Sequence, residues 1–266
     1  MSVLKKFNVK ISGDGPKTIM FSHGFGCDQN MWRHMVPDFE KNYRVVLFDH
    51  IGCGQSDSSD YHPLRYNNLN AYAEDVLKIA EELRLKDAIF VGHSVSSMIG
   101  VLANIKDESI FDHLVLVCPS ARYINDTNYV GGFEREDIDG LMESLESNYL
   151  GWSHQMAPVI MGTPDAPKLG EELANSFCQM APEVAKNFAM ATFYSDNRKD
   201  LKSIKTKSLV LQCTDDAIAP TEVGEYVHKN LVNSTFIQLK ATGHCPNLSA
   251  PIETTAAIKN FLTQLG

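Results

Sequence analysis

Six short apolar runs, each closed off by Gly, Asp, Ser or Pro, constrain the fold of this chain more than any other feature: Ile19–Phe21, Val45–Phe48, Ile89–Val91, Leu114–Val117, Leu209–Leu211 and Phe236–Leu239. Runs so short and so largely apolar are what buried strands look like. Helical patterns lie between them. Leu69, Tyr72, Val76, Ile79 and Leu83 step by three and four, as the buried face of a helix must. Strands that alternate with helices imply a mostly parallel sheet, because a parallel pair can only be joined by a crossover. Asn8–Ser12 alternates weakly and is expected to add an edge strand, while Ile252, Ala256 and Phe261 predict a closing helix on one face.

One interval breaks the rhythm. Between Val117 and Leu209 lie 91 residues, far more than a crossover uses. They carry helical patterns of their own, at Ile138, Leu141, Met142, Leu145 and Tyr149, at Leu173 and Phe177, and at Val184, Phe188 and Ala191, punctuated by Gly151, Gly162, Pro164 and Pro167. The expectation is a helical cap over residues 123–200, inserted into a core of residues 1–122 and 201–266. At 266 residues and 44% hydrophobic content the chain can bury one large core without covalent help. Accordingly, Cys27, Cys53, Cys118, Cys178, Cys213 and Cys245 form no C-x-x-C pair and are expected to be reduced thiols, neither a disulfide framework nor a zinc knuckle.

The formal charge of −9, with no Lys/Arg run longer than two, argues against nucleic acid and anionic membrane surfaces as partners. No apolar stretch approaches the roughly 18 residues of a membrane helix. Met1–Lys10 lacks the apolar core of a secretory signal, so a cytoplasmic location is expected.

Chemistry concentrates where strands end. Ile89–Val91 runs into Gly92-His93-Ser94-Val95-Ser96, followed by Met98, Ile99 and Leu102 at helical spacing. In such a strand, nucleophile and helix arrangement the serine occupies a strained turn, and the residues two before and two after must be small for strand and helix to approach. Gly92 satisfies this fully, and Ser96 stands where a second glycine is usual. By itself Ser94 is as readily a helix N-cap as a nucleophile. A base and an orienting acid follow, however, in the order Ser, Asp, His. Asp215 and Asp216 lie just after Leu209–Leu211, and His244, flanked by Gly243, lies just after Phe236–Leu239. Val95 N–H, after the nucleophile, and Phe25 N–H, in His23-Gly24-Phe25-Gly26, are the candidate oxyanion donors. His23 and His93 each sit in a motif that a backbone turn explains, so no metal and no cofactor are expected. Cys245 beside the base is taken as structural.

These motifs carry a resemblance. The chain resembles an α/β-hydrolase over nearly its whole length. His23-Gly24-Phe25-Gly26-x-Asp28-Gln29-x-x-Trp32, Phe48-Asp49-x-x-Gly52-x-Gly54-x-Ser56-Asp57 and Gly92-His93-Ser94-Val95-Ser96 are similar to a narrower group, which holds the bacterial stress-response regulator RsbQ and the plant karrikin and strigolactone receptors. Gly131-Gly132-Phe133, Asn148-Tyr149-x-x-Trp152, Phe193-x-Ser195-Asp196 and Leu211-Gln212-Cys213-x-Asp215-Asp216-x-Ile218-Ala219-Pro220 extend it. At position 96 the bacterial regulator has glycine and the plant receptors serine.

The resemblance favours Asp216 as the triad acid. It implies that Phe25, Phe133, Trp152 and Phe193, with Met156, line a pocket over Ser94, where Phe133, Trp152, Met156 and Phe193 would otherwise be only the cap's own core. It also implies hydrolysis of a small, mainly apolar ester, lactone or butenolide-like ligand. A receptor role is the alternative, with a PP2C-type phosphatase as partner in stress signalling. Dehalogenase and epoxide hydrolase chemistry is disfavoured, because relatives of this fold that perform it use Asp at position 94.

Overall fold

The structure, a computed structural model, describes residues 1–264. A short N-terminal helix, α1 (Val3–Lys6), precedes the strands. Seven strands follow: β1 (Lys10–Ser12), β2 (Lys17–Ser22), β3 (Tyr43–Leu47), β4 (Ala88–His93), β5 (Phe111–Val117), β6 (Lys207–Thr214) and β7 (Ser234–Thr242). They form one sheet in the order β1-β3-β2-β4-β5-β6-β7. All neighbours are parallel except β1, which pairs antiparallel with β3. Each apolar run lies in a strand, apart from Phe48 one residue beyond β3, and the weak alternation at the N-terminus yields the short edge strand. Centrally placed β4 is buried at all six residues, which is why its sequence shows no alternation.

Around the sheet lie α2 (Val36–Phe39), α3 (Leu69–Glu82) and α4 (Val95–Lys106). The interval between β5 and β6 holds α5 (Arg135–Ser147), α6 (Tyr149–Met161), α7 (Pro167–Phe177) and α8 (Pro182–Phe193). Next come α9 (Thr221–Asn230), α10 (Pro246–Ser249) and the closing helix α11 (Pro251–Thr263). Helix α3 starts at Asn68, whose side chain accepts from the Asn70 amide. It buries Leu69, Tyr72, Val76 and Ile79, four of the five residues its periodicity marks; Leu83 is the C-cap and is half-buried.

The insertion differs from its sequence pattern in one place. The apolar period from Ile138 to Tyr149 runs across two helices, because Asn148 ends α5 at φ −155° and begins α6, its side chain accepting from the Gly151 amide. An asparagine that bonds forward to the backbone offers an alternative to continuing the helix. The two ends of the insertion meet. Arg122 and Asp196 form an antiparallel backbone bridge and an ion pair at 2.8 Å, and Asn197 N–H donates to the Ala121 carbonyl at 2.8 Å. Arg198 holds the Asp196 carboxyl down at about 2. Partly exposed pairs of this kind contribute about 1 kcal/mol or less each, so they register the junction more than they stabilise it.

Candidate active site

The sheet delivers the site. β2 and β4 are neighbours, paired Phe21 to Val91 and Ser22 to Gly92, so the loops leaving them start side by side. Ser94, between β4 and α4, takes φ +56°, ψ −124°, a conformation that costs a non-glycine residue about 1–3 kcal/mol and persists only when its surroundings enforce it. Here the Ser94 N–H donates to the Val117 carbonyl of β5 at 2.8 Å, and its own carbonyl accepts from the Ser97 N–H at 2.9 Å. Gly92 makes the turn sterically feasible, since a Cβ there would stand 2.5 Å from the Ser96 carbonyl oxygen.

His244 and Asp216 come from the ends of β7 and β6. Ser94 Oγ lies 2.7 Å from His244 Nε2, and His244 Nδ1 lies 2.7 and 3.0 Å from the two Asp216 oxygens. All three residues are buried. Between the adjacent acids, Asp215 takes φ +50° and stays exposed, and this turn sends Asp216 inward. The Asp216 Oδ1 also accepts from the Ile218 and Ala219 amides at 2.9 and 3.0 Å. A carboxylate only accepts, so the His244 proton sits on Nδ1 and Nε2 presents its lone pair to Ser94. The His244 loop is fastened to the insertion: its N–H donates to the Ile160 carbonyl of α6 at 2.9 Å.

Val95 N–H, first in α4, and Phe25 N–H, in the loop after β2, donate to no other protein group among the described residues. His93 donates Nε2–H to the His244 carbonyl at 2.7 Å. Burial, reinforced by neighbouring His244, holds its imidazole down at about 3, so His93 is neutral and structural.

A second buried serine and histidine pair, Ser22 Oγ and His50 Nε2 at 3.0 Å, lacks the rest of a triad. The neighbouring Asp49 carboxylate is taken by the Gln29 and Gln55 amides and Asn8 instead. Cys118, Asp216 and His244 bring ligand-capable atoms within 4.8 Å, the one such trio among the described residues. A metal there would have to displace the Asp216–His244 bond and deprotonate a Cys118 thiol that burial pushes well up.

The cavity over Ser94 leaves about 30 Å³ for the centres of water-sized molecules, room for one or two waters. Of the aromatic residues expected there, Phe25 and Phe193 line it. Trp152 stands behind, edge-on to Phe25 at 6.2 Å, and Phe133 and Met156 are half-buried and outside the wall. Phe177, Ile218 and Tyr123 line it instead, beside Ile160, Leu173 and Thr192. The Tyr123 hydroxyl is buried beside Ser94 without a well-formed hydrogen bond, and burial raises it, so it remains a donor. Its signal in the sequence is its place just beyond the C-terminal end of β5, the edge where open α/β sheets gather ligands.

A parallel sheet whose strand ends bring Ser, Asp and His, in this chain order, into contact defines a class, and the chain belongs to it: the alpha/beta hydrolase family model matches residues 19–258. It is a hydrolase of that fold. Among its relatives, the karrikin insensitive 2 receptor CA of Petunia hybrida is 40% identical over 245 residues, covering 92% of this chain and 91% of its own. Strigolactone esterase D14 of Arabidopsis thaliana is 36% identical over 263 residues, 98% of each chain. A hydrolase from Oleispira antarctica of known structure superposes with a TM-score of 0.96 at 41% identity, over 98% of this chain and 96% of that one. Among the described residues no helix is long and apolar enough to cross a membrane.

Proposed function

We propose that the protein hydrolyses small, mainly apolar esters or lactones through Ser94, His244 and Asp216, beneath a cap formed by the helices of residues 123–200. The carrying observation is the unbroken run of contacts from Ser94 Oγ to His244 Nε2 and from His244 Nδ1 to Asp216, each at 2.7 Å. As Ser94 Oγ attacks the carbonyl carbon, its proton passes to His244 Nε2, and Asp216 stabilises the imidazolium. The oxyanion is held by the Phe25 and Val95 amides. Collapse of the tetrahedral intermediate expels the alkoxide, which takes the proton from Nε2 and leaves an acyl-serine. Water, deprotonated by the same nitrogen, then releases the acid and restores Ser94. The Tyr123 hydroxyl offers a hydrogen bond to a polar atom of the ligand in a mainly apolar chamber.

The small cavity favours a second reading of the same site. A ligand of ten heavy atoms enters only if the insertion moves, which makes turnover slow and couples occupancy to the outer surface of α5–α8. The names of the relatives, receptors and esterases alike, support a site that binds a butenolide-like ligand and cleaves it slowly. A PP2C-type phosphatase is the partner implied by resemblance to the stress regulators. Hydrolysis of 4-nitrophenyl acetate tests the first reading: Ser94→Ala should remove several orders of magnitude of rate with the fold intact, and undiminished activity refutes the site. Turnover well above about ten per second, with no thermal shift from any hydrophobic lactone and no phosphatase activation, removes the second.

A further inference from the structure

Ser96, the elbow position where glycine is usual, takes no part in the mechanism above, yet it is fully buried at the centre of a polar cluster. Its hydroxyl lies 2.5 Å from the His23 carbonyl, 2.9 Å from Ser22 Oγ and 2.9 Å from His50 Nε2. A carbonyl oxygen only accepts, so the Ser96 proton is committed to His23, and the Ser96 oxygen accepts from the other two groups. The His50 N–H donates to His23 Nε2 at 3.0 Å. This fixes the His23 proton on Nδ1, which donates to the Gly24 carbonyl at 2.9 Å. Burial lowers both imidazoles, so each is neutral.

The cluster controls a peptide plane. In a trans peptide the C=O and the following N–H point in opposite directions. The Gly24 carbonyl, which accepts from the His23 ring and also, at 3.3 Å, from the Cys27 N–H, therefore turns the Phe25 N–H away from the cluster and leaves it free. The His23 carbonyl, one peptide earlier, is held by Ser96, which sits next to Val95 in the first turn of α4. We propose that Ser96 is a positioning residue: its hydroxyl ties the helix turn that supplies one oxyanion donor to the loop that supplies the other, and so sets the spacing between them. Glycine at 96 would satisfy the elbow's steric demand but would leave the His23 carbonyl buried and unpaired. The proposal rests on the reading of Ser94 as nucleophile and of Phe25 and Val95 as donors.

Ser96→Ala and Ser96→Gly both remove the hydroxyl without adding bulk. In each, kcat for 4-nitrophenyl acetate should fall roughly ten- to a hundredfold, less than the roughly 10²–10³ of losing a donor outright, with KM within about twofold. Phenylboronic acid, which forms a tetrahedral adduct on serine, should lose affinity by a similar factor. The midpoint of the pH–rate profile should stay in place, because the triad is untouched. A purely structural role would lower thermal stability without changing boronate affinity relative to KM. Ser22→Ala leaves the Ser96–His23 bond in place and should cost less than about threefold; a loss as large as that of Ser96→Gly overturns the proposal, as does wild-type kcat or unchanged boronate affinity in the Ser96 variants. Ser94→Ala separates the two ideas. If it remains active the site assignment fails, whereas an inactive Ser94→Ala beside fully active Ser96 variants removes only the positioning role.

Discussion

Replacing Asp216 by asparagine should silence the enzyme by moving one proton. Asp216 Oδ1 accepts two backbone N–H groups, from Ile218 and Ala219, and Oδ2 lies 2.7 Å from His244 Nδ1. Asparagine has the same shape but only one acceptor oxygen. If its NH₂ faced the two amides, three donors would crowd together unpaired, so the oxygen must take that side and the NH₂ must face His244. Nδ1 then accepts, the imidazole proton moves to Nε2, and Nε2 can no longer receive the proton of Ser94. A wrong tautomer in an intact triad costs a factor on the order of 10⁴, about 5.5 kcal/mol of barrier. Asp215→Asn provides the contrast: that side chain is exposed, and asparagine tolerates φ +50° well, so kcat should change by less than about threefold. The assay is hydrolysis of 4-nitrophenyl acetate by both variants beside thermal unfolding. An Asp216→Asn enzyme that folds and retains a tenth of wild-type kcat, or an equal loss in Asp215→Asn, would refute the assignment.

Gly243→Ala should uncouple the insertion from the base: the new Cβ would meet the Met161 carbonyl oxygen at 1.9 Å at a residue with φ +75°, so we expect a loss of about 2 kcal/mol or more with reduced kcat, read by urea unfolding and turnover. Tyr123→Phe should raise or preserve the thermal midpoint, because it removes a buried hydroxyl without a well-formed hydrogen bond, while raising KM for ligands with a second polar atom; a lower midpoint with unchanged KM contradicts the role given to Tyr123. Acid should destabilise the fold. His93 is held at about 3 against about 6.5 when unfolded, so between those values the unfolded chain binds the extra proton. Its contribution is complete above pH 6.5 and is lost as pH falls toward 3, at about 1.4 kcal/mol per pH unit. His23 and His50 act in the same direction; a melting temperature unchanged between pH 7 and pH 5 would rule this out.

Whatever depends on short-range pattern can be read along the chain. Buried strands announce themselves as apolar runs, α3 as a three-and-four step, and the insertion as the long interval between Val117 and Leu209, because periodicity is a local property of the backbone. Ser94, the acid pair and His244 were legible for the same reason: each lies within a few residues of a strand's end, and the sheet brings those ends together. Whatever depends on side chains meeting across long separations shows only once the chain is folded. Asp216 faces His244 and Asp215 faces water because one backbone angle at residue 215 turns the chain. Phe177 on α7 lines the cavity while Met156 on α6 lies outside its wall, because helix packing selects one face of each helix; Tyr123 lines it and Phe133 does not, because a backbone bridge from Ile124 to Phe133 folds back the segment before α5 that holds both. The bond from Ser96 to His23 spans 73 residues, and whether a hydroxyl at an elbow meets solvent, a clash or a carbonyl depends on where a distant loop folds back, a contact that no local pattern encodes.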